Sequence, residues 1–159
     1  MAKKQEKTNV CRVLEQKKIE YMEHTYNPDD GISGTEVAAS LGQNPDKVFK
    51  TLVTVGASKK YYVFMVPVER ELHLKKAAKA AGEKSIEMIK SKDLLPLTGY
   101  VHGGCSPIGM KKLFPTFIDA SAKSQDTICF SGGKIGFQVE LSLKNLEKVI
   151  PFTTADITE

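Results

Sequence analysis

Fourteen residues, Gly99 to Lys112 (GYVHGGCSPIGMKK), hold four glycines and one proline between two segments patterned as ordinary half-buried structure. Glycine lets backbone N–H groups come close to a ligand, because no Cβ stands in the way. A second turn of this kind, Ser131-Gly132-Gly133-Lys134, follows a short apolar strand pattern. Two turns that offer N–H donors beside lysines suit a pocket for an anionic or carbonyl-bearing ligand. The same spacing also suits two tight turns in a β-rich domain with no ligand. Lys50, set among apolar residues in VFKTLV, either reaches the surface along its aliphatic stem or points into a cleft. Tyr26, after a strand and before a loop, is either a rim aromatic or core. Cys105 needs a nearby base to act as a nucleophile, and the spacing does not give His102 that role; the alternative is a small half-buried side chain.

Several familiar chemistries are excluded. His24, His73 and His102 and the cysteines 11, 105 and 129 form no C-x-x-C and no H-x-x-x-H, and His102 with Cys105 is a weak pair, so no metal is expected. A G-x-S-x-G nucleophile turn is missing, since Ser106 is followed by Pro107 and Ile108. Gly104 to Gly109 has phosphate-loop spacing, but Met110 stands where the lysine belongs. No dinucleotide fingerprint opens a helix after a strand, and no cofactor is expected. A lysine, two glycine turns and several hydroxyls remain.

The chain that positions them has 159 residues, 41% hydrophobic and 26% charged, the range of a single globular domain. No run approaches the ~18 apolar residues of a membrane span, and the N-terminus has no apolar signal core, so a cytoplasmic protein is expected. Three scattered cysteines fit a reducing compartment. A net charge of +4 permits a polyanion such as tRNA as partner, while the lack of Trp argues against a base-stacking platform. The pairs Lys59-Lys60, Lys75-Lys76 and Lys111-Lys112 read as solvated faces or as phosphate contacts.

Residues 1–7 read as a flexible tail and residues 8–159 as one domain. Helices are expected over Asn9 to about Lys17, from Thr35 to Gly42, over Leu74 to Ala81 and from Ser142 through LKNLEKVI. One helical turn follows Asn44-Pro45, and one capped turn covers Ser91 to Leu95 before Pro96. Strands are expected at Ile19–Tyr26, at KTLVTV and Tyr61–Val68 as a hairpin, and at Thr116–Ala120, Thr127–Ser131 and Phe137–Leu141. Ile86 to Ile89 is extended or helical. The sum is a mixed α/β domain with at least six short strands, a curled mixed sheet or barrel with flanking helices.

HTY (24–26), VFKTLV (48–53), LKKAAKAAG (74–82), GYVHGGCSPIGMKK (99–112), FIDA (117–120) and SGGKIGFQVEL (131–141), in this order, resemble the YbaK/EbsC family of trans-editing aminoacyl-tRNA deacylases. The likeness runs from about Thr8 to Ile157 and is nearest the Cys-tRNA(Pro) deacylase branch. It implies an α/β fold around a barrel-like mixed sheet, similar to the editing domain of bacterial prolyl-tRNA synthetases. It also implies removal of cysteine mischarged onto tRNA(Pro), with Cys-tRNA(Cys) as a further substrate and prolyl-tRNA synthetase as a partner. By the same resemblance Lys50 is the key functional residue, holding the terminal adenosine and its phosphate or polarising the ester. Tyr26, Thr51, Gly103, Gly104, Ser106, Pro107, Ser131, Gly132, Gly133 and Gln138 are implied to bind substrate. Gln138 departs from the branch, where a carboxylate can occur, and Ser33 stands where an aromatic can, which bears on selectivity.

An aminoacyl ester is already activated, so oriented backbone donors suffice without a protein nucleophile. In this branch the substrate's own thiol is the implied attacker, giving a thiolactone and free tRNA. The alternatives are a water-using deacylase of another small aminoacyl-tRNA, such as Ala-tRNA(Pro), and a module that binds a nucleotide or tRNA end without catalysis.

Overall fold

The computed structural model describes residues 7–159. Along the chain come α1 (Asn9–Gln16), β1 (Met22–Thr25), α2 (Gly34–Ser40), β2 (Phe49–Gly56), β3 (Tyr61–Pro67), α3 (Leu74–Ala81) and β4 (Ile86–Met88). They are followed by α4 (Ser91–Thr98), β5 (Thr116–Asp119), β6 (Ile128–Ser131), β7 (Phe137–Leu141), α5 (Leu143–Glu147) and β8 (Thr153–Ala155). The expected tail lies outside the described residues except for Lys7, whose ammonium pairs with Glu15 at 2.7 Å.

The mixed α/β architecture is as expected, and the strands form two open sheets rather than a closed barrel. One is antiparallel, β1-β7-β6; the other is mixed, β4-β2-β3-β5-β8, with parallel pairing from β3 through β5 to β8. The two meet at a single parallel bridge, Val48 to Cys129. β2 keeps β3 along one edge from Phe49–Pro67 to Val55–Tyr61. On its other edge β4 covers Thr54 to Gly56, and the bridge to β6 lies before its first residue. The two sheets therefore part along the first half of β2.

Local chemistry sets most of the element ends. Thr8 caps α1 by accepting from Cys11 N–H, and Ser33 with Glu36 forms a capping box on α2. Gly82, at φ +73, closes α3 where the sequence placed the stop. β1 is shorter than expected because Ile19 N–H returns to Leu14 O at 2.9 Å to finish α1, and pairing with β7 begins only at Met22. α4 runs through Pro96 instead of stopping before it: Thr98 Oγ1 donates to Leu94 O and Gly99 N–H to Leu95 O, so this turn is held past the proline. β8 was not expected at all; it is short and made by pairing with β5.

β6 and β7 are buried throughout except at Ser131, and Phe130, Phe137, Val139 and Leu141 pack with Val10 and Leu14 of α1 in the main core. A second core, Phe64, Val66, Leu72, Ala77 and Ile157, fills the space under α3. Glu140 breaks the apolar run of β7 and is satisfied from three directions. His24 Nε2 lies 2.7 Å from Oε1, Lys47 Nζ donates to Oε2 at 2.8 Å, and the Thr127 hydroxyl donates to Oε2. Burial works against the charge, yet the hydrogen bonds from Lys47, Thr127 and His24 outweigh it and hold the carboxyl at about 2.

Two outcomes are expected. Gly132→Ala sets a Cβ 2.3 Å from the Phe137 ring and destabilises the domain by about 1–3 kcal/mol, read from urea unfolding. Glu140 has a folded pKa below its unfolded value of 4.5, so its stabilisation is complete above that value and is lost as pH falls toward about 2. Glu140→Gln is therefore less stable than wild type at neutral pH, and the difference shrinks on acidification through this window, read from denaturant midpoints against pH.

Candidate active site

Where the sheets part, a cavity of about 320 Å³ opens. The first half of β2 supplies Phe49, Lys50, Thr51 and Leu52, and the β6–β7 corner supplies Phe130, Ser131, Phe137 and Gln138. His102, Gly103 and Cys105 come from the glycine stretch, Leu94 from α4, and Tyr26, Ile32 and Ser33 from the segment leading into α2. The walls are mostly apolar. Among the described residues Lys50 is the one lysine, arginine or carboxylate side chain that lines the cavity.

The Lys50 side chain is 26% exposed, and its Nζ lies 3.5 Å from Oε1 of Glu71, which is 76% exposed. A pair with so open a partner holds weakly in water, so the ammonium is available at the lip. Beside it, the Thr51 hydroxyl is buried and has no hydrogen-bond partner. A buried hydroxyl left alone costs free energy that a ligand oxygen removes. Gln138 is 2% exposed and its amide is engaged by Gln43. Lys134 places its ammonium 5.8 Å from the centre of the Phe137 ring, close enough for a cation–π contact.

The two glycine turns pack against each other. A Cβ on Gly104 would stand 3.1 Å from Lys134 Cα and 3.2 Å from Ile135 N, which explains why this position is glycine. Gly103, at φ +87, sits between Ile32 and Ile135. Of the residues singled out from sequence, Tyr26, Lys50, Thr51, Gly103, Ser131 and Gln138 come together on the cavity wall, with Ser33 beside them. Gly104, Ser106, Pro107, Gly132 and Gly133 are not on that wall. Ser106 is fully buried and its hydroxyl accepts from Ile108 N–H, while Gly132 lies under the Phe137 ring and Gly133 against Val10. Ser131 Oγ also accepts from Gly133 N–H at 3.2 Å, which fixes the second turn.

Sequence reasoning missed Ile32, Leu94 and Gln43. Ile32 had a signal, an apolar residue placed in a Gly/Ser-rich loop; the others had none. Cys105 is on the wall, yet it is 8% exposed and burial pushes its thiol up to about 12, partly offset by Thr98. The thiol is therefore held in its protonated, weakly nucleophilic form at neutral pH. Among the described residues one group, His24, Cys129 and Glu140, brings three metal-type donor atoms within 4.8 Å, and none of the three lines the cavity. There the Lys47 ammonium already supplies the positive charge at Glu140. No helix among the described residues is long and apolar enough to cross a membrane.

The sequence profile of the aminoacyl-tRNA editing domain matches residues 32–149. A protein of Enterococcus faecalis named "Putative Cys-tRNA(Pro)/Cys-tRNA(Cys) deacylase EbsC" is 46% identical over 99% of this chain and 98% of its own. Two solved structures share the fold. A crystallised hypothetical protein gives a TM-score of 0.87 at 20% identity, over 96% of this chain and all of the other. A crystal structure titled as "a putative trans-editing enzyme for prolyl tRNA synthetase" gives 0.83 at 23%, over 95% of each chain. With the profile spanning both glycine turns, β2 and the whole cavity wall except Tyr26, the chain belongs to the aminoacyl-tRNA editing domain family.

Proposed function

We propose that this protein is a trans-editing deacylase that removes cysteine from Cys-tRNA(Pro), and also from Cys-tRNA(Cys), using the substrate's thiol. One observation carries the reading: a single ammonium, Lys50, at a cavity whose one thiol, Cys105, is held protonated by burial. Such a site binds an anion or polarises a carbonyl, and leaves the attacking group to the substrate. The name of the Enterococcus relative supports the choice of cysteine.

In this reading the aminoacyl ester of the terminal adenosine enters the cavity, whose volume suits a small ligand. Lys50 holds a phosphate of the 3′ end or the developing oxyanion, and Thr51 bonds an ester or ribose oxygen. The cysteine thiol of the substrate gives its proton to solvent, and the resulting thiolate attacks its own carbonyl carbon. The carbon–oxygen ester bond breaks, the ribose oxygen leaves and takes up a proton, and the products are a thiolactone and free tRNA. The site's part is orientation and charge stabilisation, which are worth many powers of ten when the reacting atoms are already joined. We assign the reading of tRNA identity to prolyl-tRNA synthetase acting alongside this protein.

The test is deacylation of Cys-tRNA(Pro), Ser-tRNA(Pro) and Ala-tRNA(Pro) side by side. Rapid loss of cysteine with serine and alanine retained is the expected result; equal loss of all three means attack by water, and no loss means a binding module. Lys50→Ala is expected to lower turnover on Cys-tRNA(Pro) by about 100-fold or more with the fold intact. Cys105→Ser is expected to keep turnover close to wild type, measured in the same assay.

A further inference from the structure

Gln43 stands directly after the glycine that follows α2. Gly42 takes φ +65 and Gln43 N–H returns to Ala38 O at 2.9 Å, so the end of the helix fixes where this side chain leaves the backbone. Its amide meets that of Gln138 in a reciprocal pair. Gln43 Nε2 donates to Gln138 Oε1 at 2.6 Å, and Gln138 Nε2 donates back to Gln43 Oε1 at 3.1 Å. Gln43 Nε2 also lies 3.8 Å from Cys129 Sγ, within reach of a weak N–H···S bond. Cys129 Sγ in turn lies within 4.8 Å of a Glu140 oxygen, and that carboxylate is fixed by His24, Lys47 and Thr127.

A side-chain amide turned end for end keeps its shape and reverses every donor and acceptor. Here the direction is forced from one end. An ionised carboxylate only accepts, so Glu140 beside the thiol draws the Cys129 S–H toward itself and leaves the sulfur to accept from Gln43. Gln43 must then aim Nε2 at the sulfur and at Gln138 Oε1, with its own oxygen facing Gln138 Nε2. Turning either amide alone sets oxygen against oxygen and N–H against N–H. With that pairing made, Gln138 has one N–H and one oxygen lone pair left, and no charge.

We infer that Gln43 is a positioning residue that, through a relay anchored on Glu140 and Cys129, locks the Gln138 amide in one orientation, so that the cavity wall presents a neutral N–H donor to an oxygen of the aminoacyl-ribose ester. This rests on the deacylase reading above, and it accounts for an amide at position 138. A carboxylate there would face the lone pair of Gln43 Oε1 and offer the ester no donor.

The experiment compares wild type, Gln43→Leu, Gln138→Leu, the double variant and Gln43→Glu on Cys-tRNA(Pro), with cooperative unfolding checked for each. Gln43→Leu is expected to lose about 10- to 100-fold in kcat with a smaller change in KM. The double variant is expected to be no slower than Gln138→Leu alone, because both changes remove the same oriented donor. Gln43→Glu keeps the size but cannot donate to Gln138 Oε1, and is expected to fall with the leucine variant. Wild-type kcat in Gln43→Leu, or losses that multiply in the double variant, overturns the assignment. The free protein gives a second readout, proton exchange of the Gln138 side-chain amide followed by NMR. Slow exchange in wild type that becomes fast in Gln43→Leu supports the locked pair, and equal rates overturn it. A wild type that deacylates no Cys-tRNA sinks the deacylase reading alone, and the exchange rates then decide the amide pair by themselves.

Discussion

One edge of β2 cannot be paired along its whole length. β3 takes the other edge throughout, but on this side β4 pairs only with Thr54 to Gly56 and the backbone bridge to β6 is confined to Val48. Phe49 to Leu52 therefore have a strand neighbour on one side only, and the opening beside them is the cavity. A sheet closed by regular pairing would fill this space with ladder hydrogen bonds and leave no opening beside Lys50 and Thr51. Because the sheets separate, four consecutive residues of a rigid strand can serve as one wall of a site. Rigid elements place side chains more tightly than loops do, which suits a reaction limited by orientation.

The opposite wall faces the reverse problem, polar side chains in a buried strand. Gln138 and Glu140 lie two apart on β7 and so share a face, among apolar neighbours. Each is tolerated because its partners come from segments that the fold brings across it: Lys47 and Gln43 from the loop between α2 and β2, His24 from β1, and Thr127 from the approach to β6. The same hydrogen bonds that satisfy the buried groups tie β1, β6 and β7 to the segment that enters β2. Support of the wall and satisfaction of its polar atoms are one set of contacts.

Features with local causes were legible in the sequence. The Asn44-Pro45 turn, the β2–β3 hairpin and the stop at Gly82 depend on neighbours a few residues away, and each stands where capping and turn chemistry put it. The extra residues of α4 were not, because a proline rule cannot foresee the hydroxyl of Thr98 holding the next turn. β8 escaped because Thr153 to Ala155 has little pattern of its own and becomes a strand only against Phe117 to Asp119. At the site, residue types left Lys50 divided between surface and cleft; only the parting of the sheets resolves it. Gln43 could not be seen, since its partner lies 95 positions further along the chain.

The late pairing of β8 also bears on how the domain comes into being. Ile157 is buried in the second core, its carbonyl accepts from His73 N–H, its own N–H donates to Asp119, and Thr158 bridges to Leu72. The five-stranded sheet and the floor under α3 thus lack their final members until residues 153–158 have been synthesised. A nascent chain without them carries Phe64, Val66 and Leu72 incompletely covered and β5 as an open parallel edge, the kind of surface that chaperones hold. Removing residues 153–158 would therefore uncover the β5 edge and the second core together.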